Sequence, residues 1–292
     1  MDNQNDNDSR LASSELWPST CSFPDLPTPR TAHVTFLHQL SPANQFGASI
    51  PPKLVACGGL EGPRGVQEGS CCLNADASAE CLVLNKVTST WEPGVLGSLS
   101  QPRWRASLVS VSVGTYTLGG LGGQGTLKSS KVLFAGETTW KKGPTLPMTF
   151  YHGCAVAISP TRFLVMRRDS STSSGSIREY DNGTELGPTD DGGWLPANTW
   201  PELLSLRYSM MGCAVIGSKL VVAGGSENGG HQRSTEVINI EARTIEYGED
   251  MLEQRTWFHL LPILDSDSSK SRLWGSCPRP GYLLFAKCVN HN

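Results

Sequence analysis

Three of the six histidines, His33, His152 and His259, stand at similar places in the sequence, each at the start of an apolar stretch. Imidazole is a common ligand for zinc and copper, so three such rings brought together would make a metal site. Cys57, Cys71, Cys72 and Cys81 offer a second donor set. Their spacing is not Cys-x-x-Cys, and no histidine lies among them, so a zinc site there is weakly indicated. The plainer account is that the histidines pack inside first strands. No metal and no cofactor is expected. Serine, histidine and aspartate are all present, but no Gly-x-Ser-x-Gly nucleophile elbow occurs. No catalytic residue is singled out, and the chain is not expected to be an enzyme.

Arginines and aromatics offer a different chemistry, that of binding. Trp104, Tyr151, Arg167, Arg168, Tyr208 and Trp257 cluster near the starts or ends of apolar stretches. Such side chains often anchor interfaces, although they also serve as ordinary packing. Arg167-Arg168-Asp169-Ser170-Ser171 has the look of a kinase target, but a solvated Ser-rich loop explains it as well. The sequon Asn182-Gly183-Thr184 matters only in a secreted protein.

Composition narrows the setting. The chain has 292 residues and a formal charge of -3, with no basic cluster, so a nucleic-acid role is poorly supported. No apolar run is long enough for a spanning helix. Residues 1–16 are polar and are expected to be a disordered tail. They contain no apolar leader segment, and the nine cysteines are an odd number. A cytoplasmic chain with reduced thiols is the simplest expectation.

The elements that must position these residues are short strands. Met210-Met211-Gly212-Cys213-Ala214-Val215-Ile216 reads as a strand, Gly217-Ser218 as a turn, and Lys219-Leu220-Val221-Val222-Ala223 as a second strand ending on Gly224-Gly225. Upstream, Gly153-Cys154-Ala155-Val156 repeats part of this pattern, and Gly58-Gly59 and Gly119-Gly120 repeat the strand–diglycine junction. Trp91, Trp140 and Trp194 recur at roughly fifty-residue intervals, the mark of a repeated supersecondary unit. Arg30, Arg103, Arg207 and Arg255 each stand near a unit start, where a guanidinium would bond to backbone carbonyls. Units are expected at about 17–97, 101–148, 149–202, 203–250 and 251–292. The third lacks its diglycine, with Arg167-Arg168 near that place, and the fourth has Tyr247 where others have tryptophan.

This order of arginine, strand, strand with Gly-Gly, strand and tryptophan resembles the kelch repeat over residues 17–286. The resemblance implies an all-β, kelch-type β-propeller of five or six four-stranded blades, some degenerate, in a chain that is complete or truncated. It implies a protein-interaction module that presents propeller loops to a partner protein, such as a substrate-recognition adaptor. A ubiquitin-ligase component or actin would be partners by that resemblance only. The alternative it carries is a metal-dependent oxidase or hydrolase using the propeller channel.

Overall fold

In a computed structural model, the described residues are 24–28, 30–39, 52–61, 77–168, 175–183, 193–205, 210–227, 230–256, 259–264, 270–276, 284–285 and 289–290. The fold is all-β. The first sheet is a meander of Val34–His38, Lys53–Cys57, Cys81–Asn85 and Thr90–Pro93. The second follows the same order with Ser107–Val111, Gly114–Leu118, Ser130–Phe134 and Lys141–Lys142. The third has three strands, Cys154–Ala157, Arg162–Arg168 and Gly175–Asp181. The fourth returns to four: Gly212–Ile216, Lys219–Ala223, Thr235–Asn239 and Thr244–Tyr247. In the fifth, His259–Leu264 pairs Lys270–Ser276, which also pairs Leu284–Phe285 and Val289–Asn290.

The apolar strand sequences follow from burial on both faces. In Lys219–Ala223, Leu220 and Val222 pack toward the third sheet, with Leu164, Met166 and Ile177. Val221 and Ala223 point the other way and join a cluster with Leu260 of the fifth sheet. The strand Arg162–Arg168 behaves alike. Phe163 and Val165 meet Tyr116 and Leu118 of the second sheet, while Leu164 and Met166 meet the fourth. Strands covered on both sides read as continuous apolar runs rather than as alternating ones. Each fully buried leucine of this kind contributes roughly 1.5–3 kcal/mol.

Four apolar clusters thus join first to second, second to third, third to fourth and fourth to fifth sheets. The first strands of the five sheets lie beside one another in the same order. Here the structure corrects the sequence expectation of a closed kelch-type propeller. The sheets are discrete and open, and among the described residues no cluster joins the fifth sheet back to the first. Leu37, on the face of the first sheet turned away from the second, stands 60% exposed. A closed ring would have to cover that face. The chain is a series of face-packed antiparallel sheets.

The expectation of reduced thiols also fails for four of the cysteines. Cys57 and Cys81 are bonded across neighbouring strands at the same register, with Cα atoms 4.1 Å apart. Cys154 and Cys213 are bonded between the first strands of the third and fourth sheets. Among the described residues no helix is long and apolar enough to cross a membrane.

The diglycines end the second strands of the first, second and fourth sheets and lie against the segment that leads into the next sheet. Gly119 and Gly120 have φ of +60° and +96°. Gly120 N–H donates to the Phe150 carbonyl at 2.6 Å. A Cβ built on Gly119 would stand 1.9 Å from that same carbonyl oxygen. Only glycine fits a left-handed backbone pressed this closely. Gly119→Ala is therefore expected to cost at least about 3 kcal/mol of unfolding free energy. Gly123→Ala, where an added Cβ meets nothing within 4 Å, should be near neutral. Urea denaturation of the two variants checks this contrast.

Candidate functional site

The segments leading into the first four sheets share a backbone feature. Ala32, Arg105, His152 and Met210 each stand two residues before the first strand of their sheet, and all four have positive φ, at 54°, 56°, 55° and 67°. Residues with a Cβ seldom adopt this conformation, which costs roughly 1–2 kcal/mol each. What offsets it here is a chain of hydrogen bonds between sheets. Arg105 N–H donates to the Ala32 carbonyl at 3.0 Å, His152 N–H to the Arg105 carbonyl at 3.3 Å, and Met210 N–H to the His152 carbonyl at 2.7 Å. The left-handed turn aims each amide at the preceding sheet.

This chain of bonds brings cationic and aromatic side chains from successive sheets to one end of the molecule. The Arg105 guanidinium lies 4.2 Å over the Trp104 ring. The Arg167 guanidinium lies 3.9 Å over the Tyr151 ring, and its Nη1 donates to the Thr149 carbonyl at 2.5 Å. The Tyr151 and His152 rings are 5.0 Å apart. Arg167 reaches this end because the third sheet lacks a diglycine. Its ladder runs on through Arg167↔Ser176 and Arg168↔Gly175, where the neighbouring sheets have already turned.

Burial, then the guanidiniums of Arg105 and Arg167, hold the His152 imidazole down at about 3. Burial likewise lowers His33, where a hydrogen bond to the Arg30 backbone opposes the shift and the Arg30 charge adds to it. Arg103 is buried and lowered to about 10 by burial. It spans its own sheet end, donating to the carbonyls of Gly119 at 2.8 Å and Ser129 at 3.0 Å. Arg30 donates to the Glu80 carbonyl and pairs with Glu80 and Glu61.

Other candidate groups are committed elsewhere. Glu179 and Glu236 are fully buried carboxylates. Glu179 accepts from Arg162, and from Trp200 Nε1 at 2.8 Å. Glu236 accepts from the backbone of Leu204 and Ser205 at 2.9 and 3.0 Å. Both hold connecting segments to a sheet. As for the histidine site that the sequence raised as the less favoured alternative, no group of three metal-ligating side chains forms among the described residues. A cation at His152 would meet two guanidiniums. Cys57 and Cys81 are bonded to each other, and Cys71 and Cys72 lie outside the described residues.

Of the residues singled out for interaction, Trp104, Tyr151 and Arg167 come together at this end. Trp104 is only 5% exposed and works as a stacking platform rather than a contact surface. The Arg168 side chain, Tyr208 and Trp257 lie outside the described residues, as do Arg207 and the kinase-like serines. Among the repeat-motif residues, Trp140 packs edge-on against Phe36 between the first two sheets. Trp194 packs against Phe163 and Tyr180. Trp91 bonds through Nε1 to the Pro24 carbonyl. Sequence reasoning missed Arg105 and Met210. Their signal is positional, two residues before a strand start in each of the first four sheets.

No family model matches the chain, and no curated protein does. The resemblance to the kelch family is therefore not upheld. Short antiparallel meanders with tight glycine bends produce the same spacing of Gly-Gly and tryptophan. The ubiquitin-ligase and actin expectations rested on that resemblance alone. The propeller-loop module loses its ring, and the metal oxidase or hydrolase finds no ligand set among the described residues.

The lowered His152 value has a consequence for stability. The unfolded chain takes up a proton near the ordinary 6.5, whereas the folded chain resists until about 3. Stability from this group is fully present above pH 6.5 and falls as pH drops toward 3, by on the order of 3 kcal/mol at pH 4. His152→Gln should flatten the loss of stability between pH 7 and pH 4, as measured by denaturant titration at each pH.

Proposed function

We propose that this chain is a binding protein, not an enzyme, and that its ligand presents an anionic group, a carboxylate or a phosphate, to the Arg105–His152–Arg167 end. The observation that carries this reading is the pair of guanidiniums, Arg105 over Trp104 and Arg167 over Tyr151, gathered near His152. The field at that ring comes from burial and two guanidiniums, and it disfavours positive charge on the imidazole. Burial disfavours charge of either sign, whereas the two guanidiniums favour a negative charge placed beside them. Guanidiniums suit such a ligand because their planar donor forks match carboxylate and phosphate oxygens. Stacking on Trp104 and Tyr151 fixes the two forks in advance, which lowers the ordering cost of binding.

The same chemistry argues against acid–base catalysis here. A general base works best with a pKa near the operating pH, and an imidazole held at about 3 is a weak base at neutrality. Arginine does not exchange protons in that range. What remains is recognition of charge and shape.

Titration of the folded protein with inorganic phosphate and, separately, with acetate, followed by the His152 ring resonances, tests the reading. A saturable shift is expected, together with a rise in the His152 pKa as the bound anion offsets the guanidiniums. Arg105→Gln and Arg167→Gln should each weaken binding about tenfold, the loss of one charge-assisted hydrogen bond. A linear, non-saturating response, or binding unchanged in both variants, would overturn it.

A further inference from the structure

We infer that Asn182 is an N-glycosylation site, and that the chain matures in an oxidising secretory compartment. Two independent features of the molecule point the same way. Cys57–Cys81 and Cys154–Cys213 are bonded pairs, and such pairs persist where thiols are not kept reduced. In that setting the sequence Asn182-Gly183-Thr184 is an acceptor for oligosaccharide.

The geometry around Asn182 suits the modification. The strand Gly175–Asp181 ends there, and Asn182-Gly183 forms the turn that follows. Gly183 N–H donates to Asp181 Oδ1 at 2.8 Å, which fixes the turn, and Gly183 is exposed. Asn182 N–H donates to the Thr161 carbonyl at 3.0 Å. The side-chain amide is oriented by its oxygen. Tyr116 O–H donates to Asn182 Oδ1 at 3.1 Å. The nitrogen, the atom that carries a glycan, has no hydrogen-bond partner among the described residues.

The turn lies at the end of the third sheet opposite Arg167. Asp181 pairs with Arg162, and Arg167 lies five residues further along the same strand. At about 3.3 Å per residue, the glycan would stand well over 15 Å from the Arg105–His152–Arg167 end. It would therefore shield the rim of the second and third sheets without covering the anion site.

The reaction needs a polyprenyl-diphosphate-linked oligosaccharide as donor. Asn182 Nδ2 attacks the anomeric carbon, the bond from that carbon to the diphosphate oxygen breaks, and the polyprenyl diphosphate departs. The amide nitrogen gives up one proton to the transferase. No redox change occurs.

The test uses the full chain isolated from the cells that make it. Its cysteines are alkylated before and after reduction, and the protein is then treated with peptide N-glycosidase in heavy-oxygen water. The expected result is paired cysteines, a drop in mass on treatment, and aspartate carrying heavy oxygen at position 182. The heavy oxygen distinguishes enzymatic release from spontaneous deamidation of Asn182-Gly183. Thr184→Ala, which leaves Asn182 itself unchanged, should abolish the mass drop, as should Asn182→Gln. An unmodified Asn182 in a chain with paired cysteines would overturn the site. Free thiols at all four cysteines would overturn the compartment, and the site with it.

Discussion

A sheet of four short strands has two faces to cover and no core of its own. In this chain each interior sheet solves the problem by placing a neighbour on either side. The consequence is visible in single strands. Leu220 and Val222 belong to one cluster, and Val221 and Ala223 to the next. One strand thus ties two interfaces together, and a change in one interface is felt in the other. Stability in such a series is a sum of sheet and neighbour terms. The Cys154–Cys213 bond reinforces one of those neighbour terms covalently.

Face packing alone does not set how one sheet is placed along another. Backbone hydrogen bonds at the sheet entrances do that. Arg105, His152 and Met210 accept an unfavourable φ so that each amide reaches the entrance of the sheet before it, and Ala32, with the same φ, accepts the first of these bonds. Glycine would adopt this conformation more easily, yet three of the four positions carry long or aromatic side chains. Strained backbone held by its surroundings tends to occur where a protein does its work. Here the result is that Arg105 and His152, on different sheets, stand close enough for one charge to suppress the other. Arg167 joins them because the third sheet continues its ladder where its neighbours turn.

The strands were legible in the sequence because their information is local. Gly217-Ser218 between two apolar runs predicts the hairpin, and the structure pairs Ile216 with Lys219 around it. The unit-start arginines were legible as carbonyl binders, and Arg103 bonds to Gly119 and Ser129 in that way. Less was legible wherever two distant segments must agree. Neither the Cys57–Cys81 pair nor the Cys154–Cys213 pair, 59 residues apart, is marked in the sequence. A left-handed backbone at Arg105 or His152 carries no residue signature, because glycine or asparagine would be the usual sign. The spacing of Gly-Gly and tryptophan suggested a ring, since local repetition says how a sheet is built but not whether a series of sheets closes. Leu37, apolar and exposed, is where that reading parted from the structure.

The account depends most on the amides that bond one sheet to the next, and hydrogen exchange reads them directly. The amide protons of Arg105, His152 and Met210 stand outside every strand, yet each is bonded to the preceding sheet. They should exchange as slowly as those of Leu164 or Val222 in the buried strands. Exchange at the rate of exposed turn residues such as Val87 would contradict the account, because the entrances would then not be tied and the charged end would not be held together.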